Sequence, residues 1–377
     1  MRLVSTMFSS CRCSSAITKT ASPVPSLAAF SIPPLRRAFV SFSHLSFTRN
    51  SVSSGNLKFC TVSASKSDFQ SHSFRHEGGE SFFRDVLTSM ETVYLNRNPT
   101  AKAILELVHS VDDEQICYDH LAFRTFGVNG YGISSIASFF LDYGYTQQEE
   151  LRFPAKKLKA LWFSPPRSSS QDGGSGINGP LPRVFISELL VDQMSPKTQE
   201  IIRKYTEKSG SGNKYAALAS SLGSLTWEKP LYSEFQQLAG ESEYAAWTLV
   251  NGYALNHVTI STHRLKSNLR NIKRLNQFIE QNGFKLNSEG GVLKVSPDGL
   301  LLQSSTVADS IPFCFSDGVN ESVPCSYIEF AERLVLPQYK NLPENEVQEF
   351  HRRDGFEVGN ADKIFESTSK EQLTRRA

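Results

Sequence analysis

Hydrophobic positions along the chain change their period near residue 118. Between 80 and 110 they recur every three or four residues. "ESFFRDVLTSMETVYL" sets Phe82, Phe83, Val86, Leu87 and Met90 at helical spacing, and "PTAKAILELVHS" opens on Pro99 and repeats apolar residues at Ile104, Leu105 and Val108. The pattern predicts packing helices. From 118 the alternation is twofold. In "YDHLAFRTF", His120, Ala122 and Arg124 share one face of a strand, and Leu121 and Phe123 share the other.

This pattern occurs twice. "HLAFRTFGVNGYGISSIASFFLDYGYTQQEE" and "HVTISTHRLKSNLRNIKRLNQFIEQNGFKLNSEGG" each begin with a histidine on an alternating strand and continue into a helix. Each helix stops at a glycine, Gly144 or Gly283. Short strands follow: "QEELRFP", "KALWFSPP" and "RVFISELLV" in the first copy, "GVLKVSP", "LLLQSSTVA" and "SYIEFAERL" in the second. The expected architecture is α+β, with paired βαβββ modules over about 118–193 and about 252–336. A Gly/Ser-rich loop occupies 167–179. A helical insertion of about 195–248 opens on the cap pair Ser195 and Pro196. A polar tail, 337–377, is expected to wrap the core, so that 80–377 form one catalytic domain with added helices.

The repeat brings candidate chemistry into register. In "NGYALNHVTIST", His257, Thr259 and Ser261 share a face, as His120 does with Ala122 and Arg124. In "CSYIEFAER", Glu329 shares a face with Tyr327 and Ala331, while Ile328 and Phe330 point the other way. A carboxylate within an apolar strand is costly unless something pairs with it, and a divalent metal is such a partner. Two imidazoles and one carboxylate with open positions suit non-haem Fe(II), although other metals use similar ligands. Arg124 lies four residues beyond His120, roughly 13 Å along the strand. It can grip a substrate carboxylate or form a salt bridge with a nearby acid. Glu188 ends the first copy as Glu329 ends the second, so repeat symmetry sets the two opposite each other. It is a fourth ligand, an acid/base group or a pocket hydrogen-bonding group. Gln303 in "LLQSST" is the candidate neutral contact to substrate, against a plain polar strand face. His109, His263 and His351 read as structural or solvated. No phosphate-binding glycine loop and no G-x-S-x-G element stands between a strand and a helix.

Composition alters this picture mainly at the amino terminus. The first 67 of 377 residues hold 17 serines and 8 Lys or Arg but no Asp or Glu, and Pro23, Pro25, Pro33 and Pro34 interrupt any long helix. This reads as a disordered transit peptide, plastid before mitochondrion. The remainder carries 32 basic and 38 acidic side chains, a formal charge of −6. It has no dense basic run with interleaved aromatics, so no nucleic-acid partner is expected, and no long apolar run, so no membrane span. Cys117, Cys314 and Cys325 are odd in number and lack CxxC spacing, which disfavours a disulfide framework or a thiolate zinc site.

"HLAFRTF", "LNHVTI", "LLQSST" and "YIEFAER", in this order, resemble the 2-oxoadipate dioxygenase/decarboxylase family, also called hydroxyglutarate synthase, over roughly residues 80 to 370. The resemblance implies a vicinal oxygen chelate fold, a curved mixed sheet around a metal site. It implies Fe(II) held by His120, His257 and Glu329, and a substrate-binding arginine at Arg124. The substrate would then meet Arg124, His120, His257 and Gln303. The implied reaction converts 2-oxoadipate and O2 to 2-hydroxyglutarate and CO2 in lysine breakdown, in the chloroplast stroma. Glyoxalase-like isomerase or lyase chemistry, or a non-catalytic metal or small-acid binding module, are the alternatives.

Overall fold

The computed structural model describes residues 77–112, 116–128, 130–166, 174–208 and 214–374. The expected transit peptide and most of the 167–179 loop lie outside the described residues. Two helices open the described chain, α1 (Glu77–Arg97) and α2 (Pro99–Asp112), separated at Asn98 because Pro99 starts a new first turn. The first module follows: β1 (Tyr118–Phe126), α3 (Ile133–Asp142), β2 (Thr146–Phe153), β3 (Leu158–Ser164) and β4 (Arg183–Leu189). The insertion supplies α4 (Pro196–Lys208), α5 (Ala216–Leu222), α6 (Tyr232–Glu241) and α7 (Glu243–Asn251). The second module comprises β5 (Leu255–Ser261), α8 (Ile272–Gln281), β6 (Lys294–Val295), β7 (Leu301–Ser305), a hairpin of β8 (Ser310–Cys314) and β9 (Asn320–Pro324), and β10 (Tyr327–Arg333). The tail adds α9 (Val358–Ile364) and α10 (Lys370–Thr374). Gly144 and Gly283 adopt φ of +83° and +85° just beyond α3 and α8, the left-handed turn that ends each helix.

One eight-stranded sheet runs in the order β2-β3-β4-β1-β5-β10-β7-β6. The two halves meet at the antiparallel pair β1–β5, where His120 faces Thr259, Leu121 faces Val258 and Ala122 faces His257. Exchanging the modules maps each of these pairs onto another, so a pseudo-twofold axis passes at Leu121–Val258. Outward from the axis each half repeats a parallel pair, β1–β4 or β5–β10, and then antiparallel neighbours. The hairpin β8–β9 lies outside this sheet and is an addition to the expected three strands. Phe315 and Val323 pack there against Val250, Tyr232 and Phe235 of the insertion.

One face of the sheet builds the core. Leu121, Phe123, Val258, Ile260, Ile328 and Phe330 are buried with Leu87, Ile104, Ile136, Phe140, Leu275 and Ile279 of α1, α2, α3 and α8. The opposite face is closed by the tail. The short helix α9, about 10 Å long, touches β2 at one end of the strand order and β6 and β7 at the other. Eight strands laid flat would put those edges roughly 33 Å apart. The sheet is therefore curled, and α9 closes the space it encloses. This covering on both faces explains why every position of β1 and β5 is buried despite their alternating sequence.

Candidate metal centre

The register lines up three residues across the sheet. Thr259 is flanked by His120 on β1 and by Glu329 on β10, while His257 lies between Ala122 and Tyr327. The small Thr259 lets the flanking side chains converge, and its Oγ1 lies 3.0 Å from His120 Nε2. His257 Nε2 lies 3.0 Å from Glu329 Oε2 and 3.2 Å from His120 Nε2, and His120 Nε2 lies 3.7 Å from Glu329 Oε2. All three residues are buried, and their ligand atoms fall within 4.8 Å of one another. Ligands held at about 2.1 Å from one ion in mutually adjacent positions stand roughly 3 Å apart, so the spacing suits a shared ion.

The residue before each histidine sets its tautomer. Asp119 Oδ1 lies 2.8 Å from His120 Nδ1, and Asn256 Oδ1 lies 3.1 Å from His257 Nδ1. Asp119 is held ionised: burial opposes its charge, but Arg333, the His120 hydrogen bond and Arg183 outweigh it and keep its pKa well below the carboxylate range. It must accept, so His120 donates from Nδ1 and turns a lone pair on Nε2 toward the centre. With Asn256 accepting, His257 does the same. Two nitrogen lone pairs and a carboxylate then share a dry space, an arrangement that calls for a cation.

Without a metal, that cation is a proton. Burial holds His257 down to about 4. Burial also opposes charge on His120, but Glu329 and Asp119 raise its pKa above the ordinary imidazole value. Burial would raise Glu329, yet the two imidazoles keep it at about 2. Glu329 is therefore ionised, and of the two imidazoles His120 is the one whose surroundings favour a proton. An incoming metal ion displaces that proton. Above the raised His120 pKa no proton need leave, and below it each pH unit weakens the apparent affinity by up to about tenfold. Calorimetric Co(II) titrations in buffers of different ionisation enthalpy should show proton release on binding at mildly acidic pH, and pH-independent affinity between 5 and 7 would contradict this assignment.

Arg124 lies on the same enclosed face and is also buried. Its guanidinium donates to Thr368 Oγ1 at 3.0 Å and to Phe365 O at 3.2 Å. Tyr244 and Trp247 of α7 stand 5.0 Å from it and Phe365 5.6 Å. Among the described residues no carboxylate is within ion-pairing distance. Its Nε is buried without a hydrogen-bond partner, and the buried Tyr327 hydroxyl has the guanidinium as its polar neighbour. The Tyr327 ring stacks on that of His257, with centroids 4.7 Å apart. A cleft of about 230 Å³ opens beside Arg124, lined also by Lys156, Lys157, Glu243, Tyr244 and Phe365.

Residues 86–348 match the family model for 2-oxoadipate dioxygenase/decarboxylase. The chain belongs to the 2-oxoadipate dioxygenase/decarboxylase family. The chloroplastic 2-oxoadipate dioxygenase/decarboxylase of Arabidopsis thaliana is 72% identical over 343 residues, 89% of this chain and 92% of that protein. The crystal structure of hydroxyglutarate synthase from Oryza sativa, in complex with 2-oxoadipate, superposes with a TM-score of 0.79 at 68% identity, covering 83% of this chain and 100% of that one. A glyoxalase superfamily protein from Ralstonia eutropha JMP134 shares the fold alone, with a TM-score of 0.55 at 18% identity over 74% of this chain and 86% of that one. The α+β fold of paired modules expected from the sequence is the fold of this family.

Within this family frame, Gln303 stands beside the centre as a support. Its Nε2 donates to Glu329 Oε1 at 2.7 Å, and its Oε1 accepts from Asn360 of α9 at 3.0 Å. These hydrogen bonds fix the carboxylate and set Gln303, expected from the sequence to meet the substrate, beside the centre. Phe356, in the tail, packs 4.8 Å from the His120 ring and 5.0 Å from Phe185. The sequence pattern singles out none of Asp119, Asn256, Asn360 and Phe356, and it gives Tyr327 only as a neighbour of Glu329 on one strand face. For the first two a signal existed, the pairs Asp-His and Asn-His at equivalent repeat positions.

Glu188 is not opposite Glu329. His120 pairs with Arg183 on β4 and His257 with Tyr327 on β10, so the residue equivalent to Glu329 is Phe185. Glu188 lies three positions on, an odd offset that turns it to the other face. Its Oε2 accepts from the Ile133 backbone N–H at 2.8 Å, at the start of α3, and Lys159 pairs with Oε1 at 3.0 Å. It caps a helix. Glu188→Ala is expected to cost about 1–2 kcal/mol of stability and to leave metal affinity unchanged, as denaturant melts and Co(II) titration would show. Of the remaining histidines, His263 pairs with Glu349 at 3.1 Å, His351 accepts from the Gln348 N–H at 3.0 Å, and His109 is exposed at the end of α2.

Proposed function

We propose that this chain is a chloroplast enzyme that binds Fe(II) through His120, His257 and Glu329. With it the enzyme converts 2-oxoadipate and O2 to 2-hydroxyglutarate and CO2, a step in lysine breakdown. The observation that carries the reading is the buried two-histidine, one-carboxylate centre on the same enclosed face as a buried arginine that lacks an anionic partner. The family relationship and the 2-oxoadipate complex of the rice protein support it.

The donor set fits Fe(II), with two neutral imidazole nitrogens and one carboxylate leaving other positions open. Fe(II), when bound, supplies the redox chemistry of O2 and a Lewis-acid site for a keto acid. The chain does the rest. Asp119 and Asn256 hold the ligand tautomers, and Gln303 holds the carboxylate. Arg124 and the Tyr327 hydroxyl offer donors to a substrate carboxylate in a water-poor space walled by Trp247, Tyr244 and Phe365. That charge-assisted grip orients a flexible dicarboxylate before reaction.

The test is an oxygen-electrode assay of the Fe(II)-loaded protein with 2-oxoadipate. Equimolar O2 consumption, CO2 release and 2-hydroxyglutarate formation are expected. Turnover under strict anaerobiosis would instead indicate isomerase or lyase chemistry, and binding of 2-oxoadipate without any product would indicate a binding module.

A further inference from the structure

The pseudo-twofold axis permits an internal comparison. The two ligand histidines occupy equivalent positions, and each is preceded by the residue that contacts its Nδ1. The two contacts differ in charge and in support. Asp119 is fully buried. Arg333 grips it with Nε at 2.6 Å from Oδ2 and Nη2 at 2.9 Å from Oδ1, and Arg183 stands 3.6 Å away. Arg333 in turn donates through Nη1 to Arg353 O at 3.1 Å and Gly355 O at 2.8 Å, next to the Phe356 ring that packs on His120. Both ligand rings are covered by an aromatic side chain, His120 by Phe356 and His257 by Tyr327, so the two differ at the Nδ1 edge, where His120 meets a braced carboxylate. Asn256 has no such brace: its Nδ2 is buried without a partner.

We propose that Asp119 is a positioning residue that makes His120 the anchoring ligand of the centre, while the neutral, unbraced Asn256 leaves His257 the weaker ligand. The inference rests on the metal reading above. A carboxylate that accepts from Nδ1–H pushes electron density toward Nε2 and fixes the ring plane, and both effects strengthen the bond to a cation. An amide oxygen does so less, because it carries no net charge. The plain alternative is that Asp119 and Arg333 merely tie β1 to β10. That role predicts a lower melting temperature with no selective change at the metal.

The experiment uses the full chain freed of metal, with Co(II) as the probe. Asp119→Asn is expected to weaken Co(II) binding about 10–100-fold, and Asn256→Ala to weaken it by a clearly smaller factor. Proton NMR of the Co(II)-loaded parent should show two shifted imidazole N–H signals, one exchanging slowly with solvent (His120) and one faster (His257). Asp119→Asn affinity within about threefold of the parent, or an equal loss in Asn256→Ala, would overturn the proposal. Should Asp119→Asn fail to fold, the two exchange rates in the parent decide, and equal rates overturn it. A parent that binds no Co(II) or Fe(II) would be a different result, ending the metal reading itself.

Discussion

Glu329→Gln protein is expected to fold and to lose both tight metal binding and turnover. The substitution keeps volume and the Gln303 contact, since an amide oxygen can still accept from Gln303 Nε2. What it removes is the only anionic ligand of the cluster. Two neutral imidazoles then face a dication without charge compensation. Loss of an orienting partner of a ligand costs roughly 10–100-fold in affinity or activity, so loss of the ligand's own charge should exceed about 100-fold. Co(II) and Fe(II) titrations with a competing chelator, beside the O2-uptake assay, measure this. Circular dichroism of the metal-free variant should match the parent. The variant should also lose the proton release on metal binding, because Glu329 is the main support for a proton on His120. Tight metal binding in a folded Glu329→Gln protein would place the ion elsewhere.

The sequence made the faces legible and left the register hidden. Period 2 correctly groups His120 with Arg124, and His257 with Thr259, because a pleated strand leaves side chains little choice of face. It cannot say which residue of β4 lies beside His120. The distances His120–Glu188 and His257–Glu329 look alike only because each is counted through loops of different length, and the register shows Phe185 where a carboxylate was expected. The same periodicity concealed Asp119 and Asn256. Residues next to an inward histidine should point away, yet a side chain this short can bend back to the neighbouring Nδ1. β8 and β9 escaped notice because Pro312, Glu321 and Pro324 blur their alternation. The box around Arg124 was beyond reach. Tyr244, Trp247 and Phe365 come from the insertion and the tail, and nothing local in "HLAFRTF" announces them.

Arg124→Met should separate function from stability most sharply. In the parent the guanidinium is dry, makes two hydrogen bonds to neutral acceptors and leaves Nε without one. Burial depresses its pKa, although it stays charged. Desolvating such a cation without a carboxylate costs several kcal/mol, and the aromatic faces offset only part of it. Methionine fills a similar volume among Tyr244, Trp247 and Phe365 with no charge to desolvate. The variant should therefore melt no lower than the parent, with metal affinity intact, because Arg124 is not a ligand. For a 2-oxo dicarboxylate the loss should be severe. A buried, charge-assisted contact of this kind is worth about 2–5 kcal/mol, so kcat/KM should fall by roughly 30- to 4000-fold. Thermal melts, Co(II) titration and steady-state kinetics on one preparation suffice. A marked drop in melting temperature with unchanged kcat/KM would show that Arg124 is a structural cation stacked among aromatics. Stability retained with substrate recognition lost is what a site strained in favour of its ligand gives, since the energy the fold gives up to bury Arg124 is recovered only when an anion arrives.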